Sequence, residues 1–256
     1  MGSMLTRKFI ESGNVSPGDV YICNRTPEKM NDLVNFYGAT RCAGNTDVAG
    51  RSDIIFICVR PAEVKEVILE IRPFLDENKT LVSIASDVTL KKIQEWSGKD
   101  AVRIIPGITS ECMAGVSVLV FGEGVPDSAR DEILSLFSSI SRPYVTTEDS
   151  ISLLSDLTSS SPGIMASIIQ QYALAAVRRG GIPVEDAEFL VRETFIGTAK
   201  LLSGNDYDPG SLISGVSTEG GITSEGVDVI EKEIPEVFDE VLSRMSEKHL
   251  QIDRDL

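Results

Sequence analysis

The sequence predicts an α/β protein that begins with a mostly parallel sheet and continues as an all-α half. Short runs rich in β-branched residues alternate with helical runs up to about Thr147, which is typical of a sheet with helices on both faces. The run DIIFICV is apolar almost throughout, as expected for a strand covered on both sides. From about Glu148 the strand pattern stops and helical runs follow one another. We therefore predict two domains, residues 1–147 and residues 148–256.

Each predicted strand of the first domain is a short apolar or β-branched run next to a turn or a helical run. The strands are Val20–Cys23, Thr40–Ala43, Asp53–Val59, Thr80–Ser86, Ala101–Ile105, Gly115–Gly122 and Arg142–Thr147. Their alternation with helices predicts a Rossmann-type, doubly wound sheet. Such a sheet binds its ligands at the carboxyl ends of the strands.

The helices of the first domain are predicted from apolar residues at helical spacing. The first helix begins near the start of the chain, with Met4, Leu5 and Phe9 on one face and Gly13 after its end. Later helices follow the strands in the runs PEKMNDLVNFYG, AEVKEVILEIRPFL, TLKKIQEWSG and PDSARDEILSLFSSI. Thr89 is the expected N-cap of the third of these runs.

The second domain is predicted to be helical throughout. Its first helix begins with Ser161 as N-cap and Pro162 as the first helical residue. This helix is apolar on nearly all sides through Ala176, so we expect most of its surface to be buried. The later helices are predicted over roughly Val184–Leu202, from near Thr223 and from Pro235.

Composition argues against several classes of protein. The net charge of −15 argues against a nucleic-acid partner, because phosphate backbones attract Lys and Arg. No apolar run is long enough to span a bilayer, and no export signal is found at the start. The four cysteines have no metal-site spacing and are predicted as reduced thiols, which fits a cytoplasmic location. His249 is the single histidine, which argues against His-based catalysis and against a His-rich metal site.

The residues after the first predicted strand favour a dinucleotide with a 2′-phosphate. In dinucleotide-binding folds an Asp or Glu at this place accepts hydrogen bonds from the ribose of NAD. Here the position holds Asn24, followed by Arg25 and Thr26. A phosphate needs positive charge and hydrogen-bond donors, so we predict NADP, with NAD as the alternative. The same three residues are also compatible with a simple turn and a solvated arginine.

The start of the chain bears on the glycine fingerprint of such folds. The ribose-reading residue follows the glycines by about 20 residues, and Asn24 lies 22 residues after Gly2. Gly2 therefore fits the third small residue of G-x-G-x-x-G, which permits close helix–strand packing. On this interpretation the first strand and the first two glycines lie upstream of Met1, which is then an internal methionine. The alternative is that Met-Gly-Ser precedes a start at Met4.

Seven short motifs resemble those of pyrroline-5-carboxylate reductases and occur in the same order. They are CNRTPEK, FICVRP, LVSIAS, RIIPGIT, GVSVLVFG, SSSPG and VSTEGGITSEGV. The resemblance spans essentially the whole chain and is strongest to the late-competence-operon, reductase-like branch of the family. It implies reduction of pyrroline-5-carboxylate to proline with NADPH or NADH, and an all-α domain that forms a homodimer or a larger homo-oligomer.

The resemblance also implies the residues of the site. The turn Gly220-Gly221 holds the substrate carboxylate on backbone N–H groups, and the imine-contacting threonine matches Thr223. Thr218 and Ser160 match serines of the family's substrate motifs. The match on the cofactor side covers Gly2, Asn24, Arg25, Thr26, Val59, Arg60, Pro61 and Ala85. Read without the resemblance, Thr223 is a helix cap, the glycines make a turn, Pro61 begins a helix and Arg60 is a solvated side chain.

The motifs depart from the family mainly at the substrate end. Ser159 and Ser161 stand where the family has glycine, and bulk there can close a pocket meant for backbone approach. Glu219 places a negative charge beside the predicted carboxylate site. A non-catalytic, competence-related dinucleotide-binding or interaction protein is therefore the alternative function. A β-hydroxyacid dehydrogenase is the third option, and the sequence argues against it, because those enzymes carry a catalytic lysine on the first helix of the α domain and Asp156–Tyr172 contains no lysine.

Overall fold

The computed structural model describes residues 1–255, apart from the side chains at positions 253 and 255. The chain divides into two units by contacts between its residues. Unit 1 consists of Met1–Ser160 together with Met245–Leu256, and unit 2 consists of Ser161–Arg244. The predicted domain boundary at residues 147 and 148 lies at the start of the 3₁₀ turn Glu148–Ser150, whereas unit 1 extends to Ser160 and also includes the end of the chain.

Unit 1 contains two sheets. The strands are β1 Tyr21–Ile22, β2 Thr40–Arg41, β3 Ile54–Ile57, β4 Thr80–Ser83, β5 Ala101–Ile105, β6 Val116–Phe121 and β7 Arg142–Val145. Strands β1 and β2 form a parallel pair, and the other five form one sheet in the order β3-β4-β5-β6-β7. All seven predicted strands are thus confirmed: β5 has the predicted bounds, and each of the others is shorter than predicted by one to three residues at one or both ends.

Strand β6 is antiparallel to β5, whereas the pairs β3–β4, β4–β5 and β6–β7 are parallel. The pattern of the sequence did not predict this reversal. Its cause is the short connection between Ile105 and Val116, which holds a 3₁₀ turn, Ile108–Cys112. A parallel crossover needs a dozen or more residues and usually a helix.

Helices cover both faces of the larger sheet. In unit 1 the α-helices are α1 Gly2–Glu11, α2 Asn31–Asn35, α3 Asn45–Arg51, α4 Pro61–Ile71, α5 Leu90–Ser97, α6 Asp127–Ser138 and α7 Ile151–Ser155. Helices α1 and α6 pack in one cluster with the strands, and α4 and α5 pack in another. The long helix predicted after Pro27 is instead a 3₁₀ turn, Pro27–Met30, followed by the short α2.

The cluster of α1 and α6 is built around aromatic side chains. Phe9 lies against Phe137 with ring centroids 5.3 Å apart in an edge-to-face arrangement. Val82, Ile104 and Leu119 of the sheet are fully buried beneath them. Burial of a side chain of this size stabilises a fold by roughly 1.5–3 kcal/mol, so the first helix is part of the core.

The cluster on the other face contains the single tryptophan. Ile68, Ile71 and Ile93 are buried there, and Trp96 packs against the cluster while partly exposed. The Lys65 ammonium lies over the Trp96 ring, 5.8 Å from its centroid. Helix α5 begins as predicted, because the Thr89 side chain accepts a hydrogen bond from the Lys92 backbone N–H at 3.3 Å.

Unit 2 and the end of the chain are helical. The helices are α8 Ser161–Arg179, α9 Val184–Ser203, α10 Pro209–Val216 and α11 Ile222–Asp255. Helix α10 was missed by the sequence analysis, although Asp208 caps it by accepting a hydrogen bond from the Ser211 N–H at 2.8 Å.

Two predicted helix starts are wrong. Pro235 lies inside α11 rather than at the start of a new helix, because the residues on both sides keep helical conformation despite the one missing donor. Ser161 is not an N-cap, since α7 runs through the π-helical turn Asp156–Ser160 directly into α8.

Candidate functional site

The predicted cofactor residues lie at the carboxyl ends of the strands of unit 1. Asn24 follows β1, and its Oδ1 accepts a hydrogen bond from the Thr26 backbone N–H at 2.9 Å. This contact shapes a turn that leaves the side chain of Arg25 exposed. Val59 follows β3 and is half-buried, and Ala85 follows β4 and is buried. These ends form the edge at which a doubly wound sheet binds its ligands.

Two arginines at this edge meet on one carboxylate. Both Arg25 and Arg60 form ion pairs with Glu63 Oε1, and the Arg60–Glu63 distance is 2.7 Å. The two arginine side chains are 78% and 79% exposed, whereas the Glu63 side chain is 18% exposed. Hydrogen bonds from Arg60 and then Arg25 lower the pKa of Glu63 to about 2. The carboxylate thus holds two cations side by side while leaving them accessible to a phosphate.

Glu63 was missed in the sequence, although its spacing carried a signal. Pro61 is the first residue of α4, and Glu63 is the third. The Arg60 backbone N–H donates to Glu63 Oε2 at 3.3 Å, which is the backward bond of a capping box. A glutamate at this position after an arginine therefore both caps the helix and binds the arginine side chain.

Gly2 lies against the end of β3. A Cβ built on Gly2 would stand 2.9 Å from the Cβ of Cys58, which is closer than two carbon atoms of separate residues can approach. Helix α1 begins at Gly2 without a side-chain cap, so its first backbone N–H groups are available to an anion. The predicted role of Gly2 in close helix–strand packing is compatible with this geometry.

Ser160 ends the π-helical turn Asp156–Ser160 of unit 1. Its neighbour Ser159 donates a hydrogen bond to the Pro106 backbone oxygen at 3.3 Å. A Cβ on Gly107 would lie 3.7 Å from the Thr158 oxygen. The turn therefore packs against the loop after β5, and Ser160 itself is exposed.

The remaining predicted substrate residues form a tight turn in unit 2. Gly220 has a φ of +68°, a left-handed conformation that favours glycine. The Gly221 N–H donates to the Thr218 oxygen at 2.8 Å. A Cβ on Gly221 would stand 2.5 Å from the Thr218 Oγ1. Both glycines are therefore required by the turn itself, whether or not it binds a ligand.

Helix α11 begins at Ile222, directly after this turn. Its first N–H groups have no acceptor within the helix, and Thr223 presents an exposed hydroxyl at its second position. Glu219 is exposed in the same turn. The start of α11 thus presents backbone N–H donors, with one carboxylate beside them.

Other features of the described residues add little to the site. No group of three or more His, Cys, Asp or Glu side chains within residues 1–255 is arranged to hold a metal ion. In the same range, no helix combines the length and the hydropathy that a bilayer crossing needs. An open groove of about 440 Å³ in unit 2, lined by residues of α8 and α9 such as Ser167 and Glu188, contains none of the predicted site residues.

Two family descriptions match the chain, and together they cover most of it. The family "Pyrroline-5-carboxylate reductase dimerisation" matches residues 148–252. The family "NADP oxidoreductase coenzyme F420-dependent" matches residues 1–87. The matches fall on the all-α part and on the first half of unit 1, respectively.

Three named relatives match over most of their length. Pyrroline-5-carboxylate reductase 3 of Bacillus subtilis is 33% identical, with 97% of this chain and 92% of the relative covered. ComE operon protein 4 of the same organism is 31% identical over the same shares. Pyrroline-5-carboxylate reductase of Escherichia coli is 30% identical, with 91% of this chain and 87% of the relative covered.

Solved structures support the same fold. A pyrroline-5-carboxylate reductase from Coxiella burnetii has a TM-score of 0.88 at 24% identity and covers 97% of this chain and 94% of its own. Plasmodium falciparum pyrroline carboxylate reductase with NADP bound has a TM-score of 0.81 at 20% identity, with 100% and 94% covered. Both likenesses extend over the sheet and the helical half.

Proposed function

The chain belongs to the pyrroline-5-carboxylate reductase family, and on that premise we propose that it reduces pyrroline-5-carboxylate to proline with NADPH. The observation that carries the proposal is the double-glycine turn at the start of α11, with Thr223 one residue into the helix. It joins an anion site to a hydroxyl that can both donate and accept a hydrogen bond. The proposed substrate presents a carboxylate and a ring nitrogen to these two groups.

NADP is proposed as the cofactor rather than NAD. The support is the pair of exposed guanidinium groups of Arg25 and Arg60 at the end of β1 and β3. Asn24 and Thr26 add polar groups at the same place, and no carboxylate follows β1 directly. A 2′-phosphate would replace part of the contact that Glu63 makes with the two arginines.

The reaction asks little of the protein beyond binding and orientation. When bound, NADPH would supply a hydride to the imine carbon; a protonated imine keeps its proton on nitrogen and a neutral imine takes one, so that the product is proline. The Gly220 N–H and the first N–H groups of α11 hold the substrate carboxylate in this proposal, because the Gly221 N–H already bonds to the Thr218 oxygen. The Thr223 hydroxyl contacts the ring nitrogen and fixes the face that the imine carbon presents. Thr218 and Ser160 line the substrate in this proposal.

The alternative is a reductase-like protein that binds the dinucleotide without turnover. Two observations favour it: the exposed Glu219 in the turn that would hold an anionic substrate, and the likeness to ComE operon protein 4 at 31% identity. Like charges at close range oppose binding in this turn. A homodimer, or a larger homo-oligomer in the cytoplasm, is proposed for either function, because the matching family is described by its dimerisation.

Steady-state NADPH oxidation with pyrroline-5-carboxylate tests the proposal. We expect turnover that saturates in substrate, and a drop in kcat/KM of about tenfold to hundredfold in Thr223→Ala, as expected when a hydrogen bond to the reacting group is lost. Thr198→Ala is the matched control, because Thr198 is an exposed threonine of α9 whose hydroxyl bonds to its own helix.

The outcomes separate the two functions. Tight NADPH binding without turnover in the unsubstituted chain favours the non-catalytic alternative. Turnover that is equal in Thr223→Ala and Thr198→Ala keeps the reaction but overturns the role of Thr223. A Kd for NADH that equals the Kd for NADPH contradicts the proposed cofactor.

A further inference from the structure

The single histidine of the chain contacts two carboxylates of unit 1. His249 lies in the last part of α11, within the segment that belongs to unit 1. Its Nδ1 is 3.0 Å from Asp87 Oδ1, and its Nε2 is 2.8 Å from Asp156 Oδ1. Both ring nitrogens therefore face a carboxylate oxygen at hydrogen-bond distance.

The two carboxylates stand on separate segments of the ligand edge. Asp87 lies two residues after Ala85, in the segment that follows β4. Asp156 opens the π-helical turn that ends at Ser160. One histidine side chain thus links the end of a strand, a turn of proposed substrate residues and the last turns of the C-terminal helix.

This geometry requires the charged form of the ring. A neutral imidazole has one N–H donor, so the lone pair of its other nitrogen would face the lone pairs of a carboxylate oxygen. The imidazolium donates at both nitrogens and forms two charge-assisted hydrogen bonds. The side chains of His249, Asp87 and Asp156 are 23%, 10% and 4% exposed, respectively, so water cannot fully replace these bonds.

The two side chains that hydrogen-bond to the ring are carboxylates, which favour its positive charge. From the segment after β4 the contact is Asp87, whose Oδ2 accepts a hydrogen bond from the Ser86 hydroxyl at 2.7 Å. From the π-helical turn the contact is Asp156. On the same helix, the exposed Lys248 ammonium donates to Gln251 Oε1 at 3.0 Å. Partial burial alone lowers the pKa of His249, but the hydrogen bonds to Asp156 and Asp87 outweigh it and raise that pKa above its ordinary value.

We propose that His249 is a positioning residue that works as a pH-dependent clasp: as an imidazolium it fastens the segment after β4 and the turn Asp156–Ser160 to the C-terminal helix, and its deprotonation releases both. The two residues that the clasp holds, Asp87 and Asp156, lie in the same segments as Ala85 and Ser160. The protonation state of His249 therefore controls the order of these two segments. The proposal goes beyond the reductase reaction, because it concerns the fold of unit 1 with or without a substrate.

The sign of the pH dependence follows from the raised pKa. The unfolded chain releases this proton near pH 6.5, the ordinary value for histidine. The contribution of the clasp is therefore complete below about pH 6.5 and is lost as the pH rises through the higher value in the folded protein. The edge should be ordered in mildly acidic solution and looser in alkaline solution.

Titration of the imidazole by NMR is the first test. Because His249 is the single histidine, its ¹³Cε1 signal needs no assignment. We expect a midpoint above 6.5, together with protection factors for the amides of residues 85–90 and 156–160 that fall at least about tenfold through the same midpoint, as for the loss of one charge-assisted hydrogen bond. A midpoint at or below 6.5 overturns the proposal.

His249→Gln provides the second test, with Lys248→Gln as its matched control on the neighbouring exposed residue. Glutamine can donate at one end only and does not titrate. At pH 6 we expect the amide protection factors of both segments to be about tenfold lower in His249→Gln than in the unsubstituted chain. From pH 6 to 9 the protection factors of His249→Gln should stay constant, whereas Lys248→Gln keeps the full pH dependence. Protection profiles of His249→Gln that coincide with those of the unsubstituted chain overturn the proposal.

Cofactor affinity provides a separate readout that rests on the proposed function. We expect the Kd for NADPH to rise severalfold between pH 6 and 9 in the unsubstituted chain and to be constant in His249→Gln. A chain that shows the exchange behaviour without binding NADPH keeps the clasp and loses the reductase proposal. A constant Kd alongside a titrating clasp overturns the link between the clasp and the ligand edge.

Discussion

The two units of the chain differ sharply in how they bury their apolar side chains. Unit 1 encloses its sheet between two clusters of buried aliphatic and aromatic residues. Across residues 161–244, all of which the structure describes, the buried residues are Ala173 and Ala187. Phe189, Leu190, Ile213 and Val229 are each more than a third exposed, and Ile222 is 96% exposed.

This contrast shows that the helical unit is not stabilised by its own interior. Apolar surface on this scale that is exposed in a single chain marks a site where another molecule binds. The apolar run of α8 predicted that most of this helix is buried. Within the chain, Ala173 is the one buried residue of Ser161–Arg179, all of which the structure describes. The family description in terms of dimerisation and the exposed faces both favour a second copy of this chain as the cover.

The largest expected effect comes from placing a charge on an exposed apolar side chain of unit 2. Phe189→Glu should abolish the proposed dimer and lower the helical content of unit 2, because burying a charge in an apolar contact surface costs several kcal/mol. Sedimentation equilibrium and far-ultraviolet circular dichroism measure the two effects. Phe189 is 53% exposed in the chain, so the monomer alone gives no reason for such a loss.

Phe36→Glu is the matched control in unit 1. Phe36 is 80% exposed, more than Phe189, and it follows α2 in the part of the chain that encloses its own core. We expect this variant to keep its assembly and its stability. Equal behaviour of the two variants would remove the distinction between the units.

A smaller effect is expected from the polar interior of unit 1. Arg103 of β5 is buried and pairs with Glu148 Oε1 at 2.7 Å, and the same oxygen accepts a hydrogen bond from the Leu90 N–H at 3.0 Å. Glu148→Ala leaves the arginine charge buried without its partner, which should cost about 3 kcal/mol of unfolding free energy. Chemical denaturation measures the loss.

The matched substitution in unit 2 is Glu240→Ala. Glu240 pairs with Arg244 at 2.6 Å, but both side chains are more than half exposed. An exposed pair of this kind on a helix contributes about 0.5 kcal/mol or less. If the two alanine variants lose equal stability, the burial of Arg103 does not govern the strength of its ion pair.

The smallest effects are expected at Glu219 and Glu63, the carboxylates beside the two proposed anion sites. Glu219→Gln should lower the KM for pyrroline-5-carboxylate by about threefold to tenfold, because it removes a like charge beside the glycine turn. Glu63→Gln should leave that KM unchanged and tighten NADPH binding severalfold, because it frees Arg25 and Arg60 for the phosphate. Steady-state kinetics and a fluorescence titration measure the pair, and an unchanged KM in Glu219→Gln removes this turn as the substrate site.

The local patterns of the sequence were sufficient for the strands and for several caps. Apolar runs predicted all seven strands, and Thr89 was identified as a cap by residue type alone. Proline misled the prediction at Pro235, because its cost to a helix is a few kcal/mol and long flanking helices can absorb it. Helix α10 was missed because it has only eight residues, including two glycines.

The candidate site was predictable only where its residues are neighbours in the chain. The sequence after β1 could be identified from its spacing, and the turn Gly220-Gly221 from the resemblance of its local motif to the family. The contact of Arg25 with Glu63 joins residues 38 positions apart, and His249 reaches Asp87 across 162 positions. No local pattern encodes such distances, so the folded chain was needed to reveal these charged clusters.

The position of the single tryptophan allows the unfolding of the sheet to be followed separately by fluorescence. Trp96 is packed beside α4 and α5, and unit 2 contains tyrosine but no tryptophan among its residues 161–244. Emission excited at 295 nm, a wavelength roughly selective for indole, therefore follows the melting of the sheet alone, while ellipticity is dominated by the helices. If the midpoint of the ellipticity curve is lower than that of the fluorescence curve, helices unfold before the sheet does.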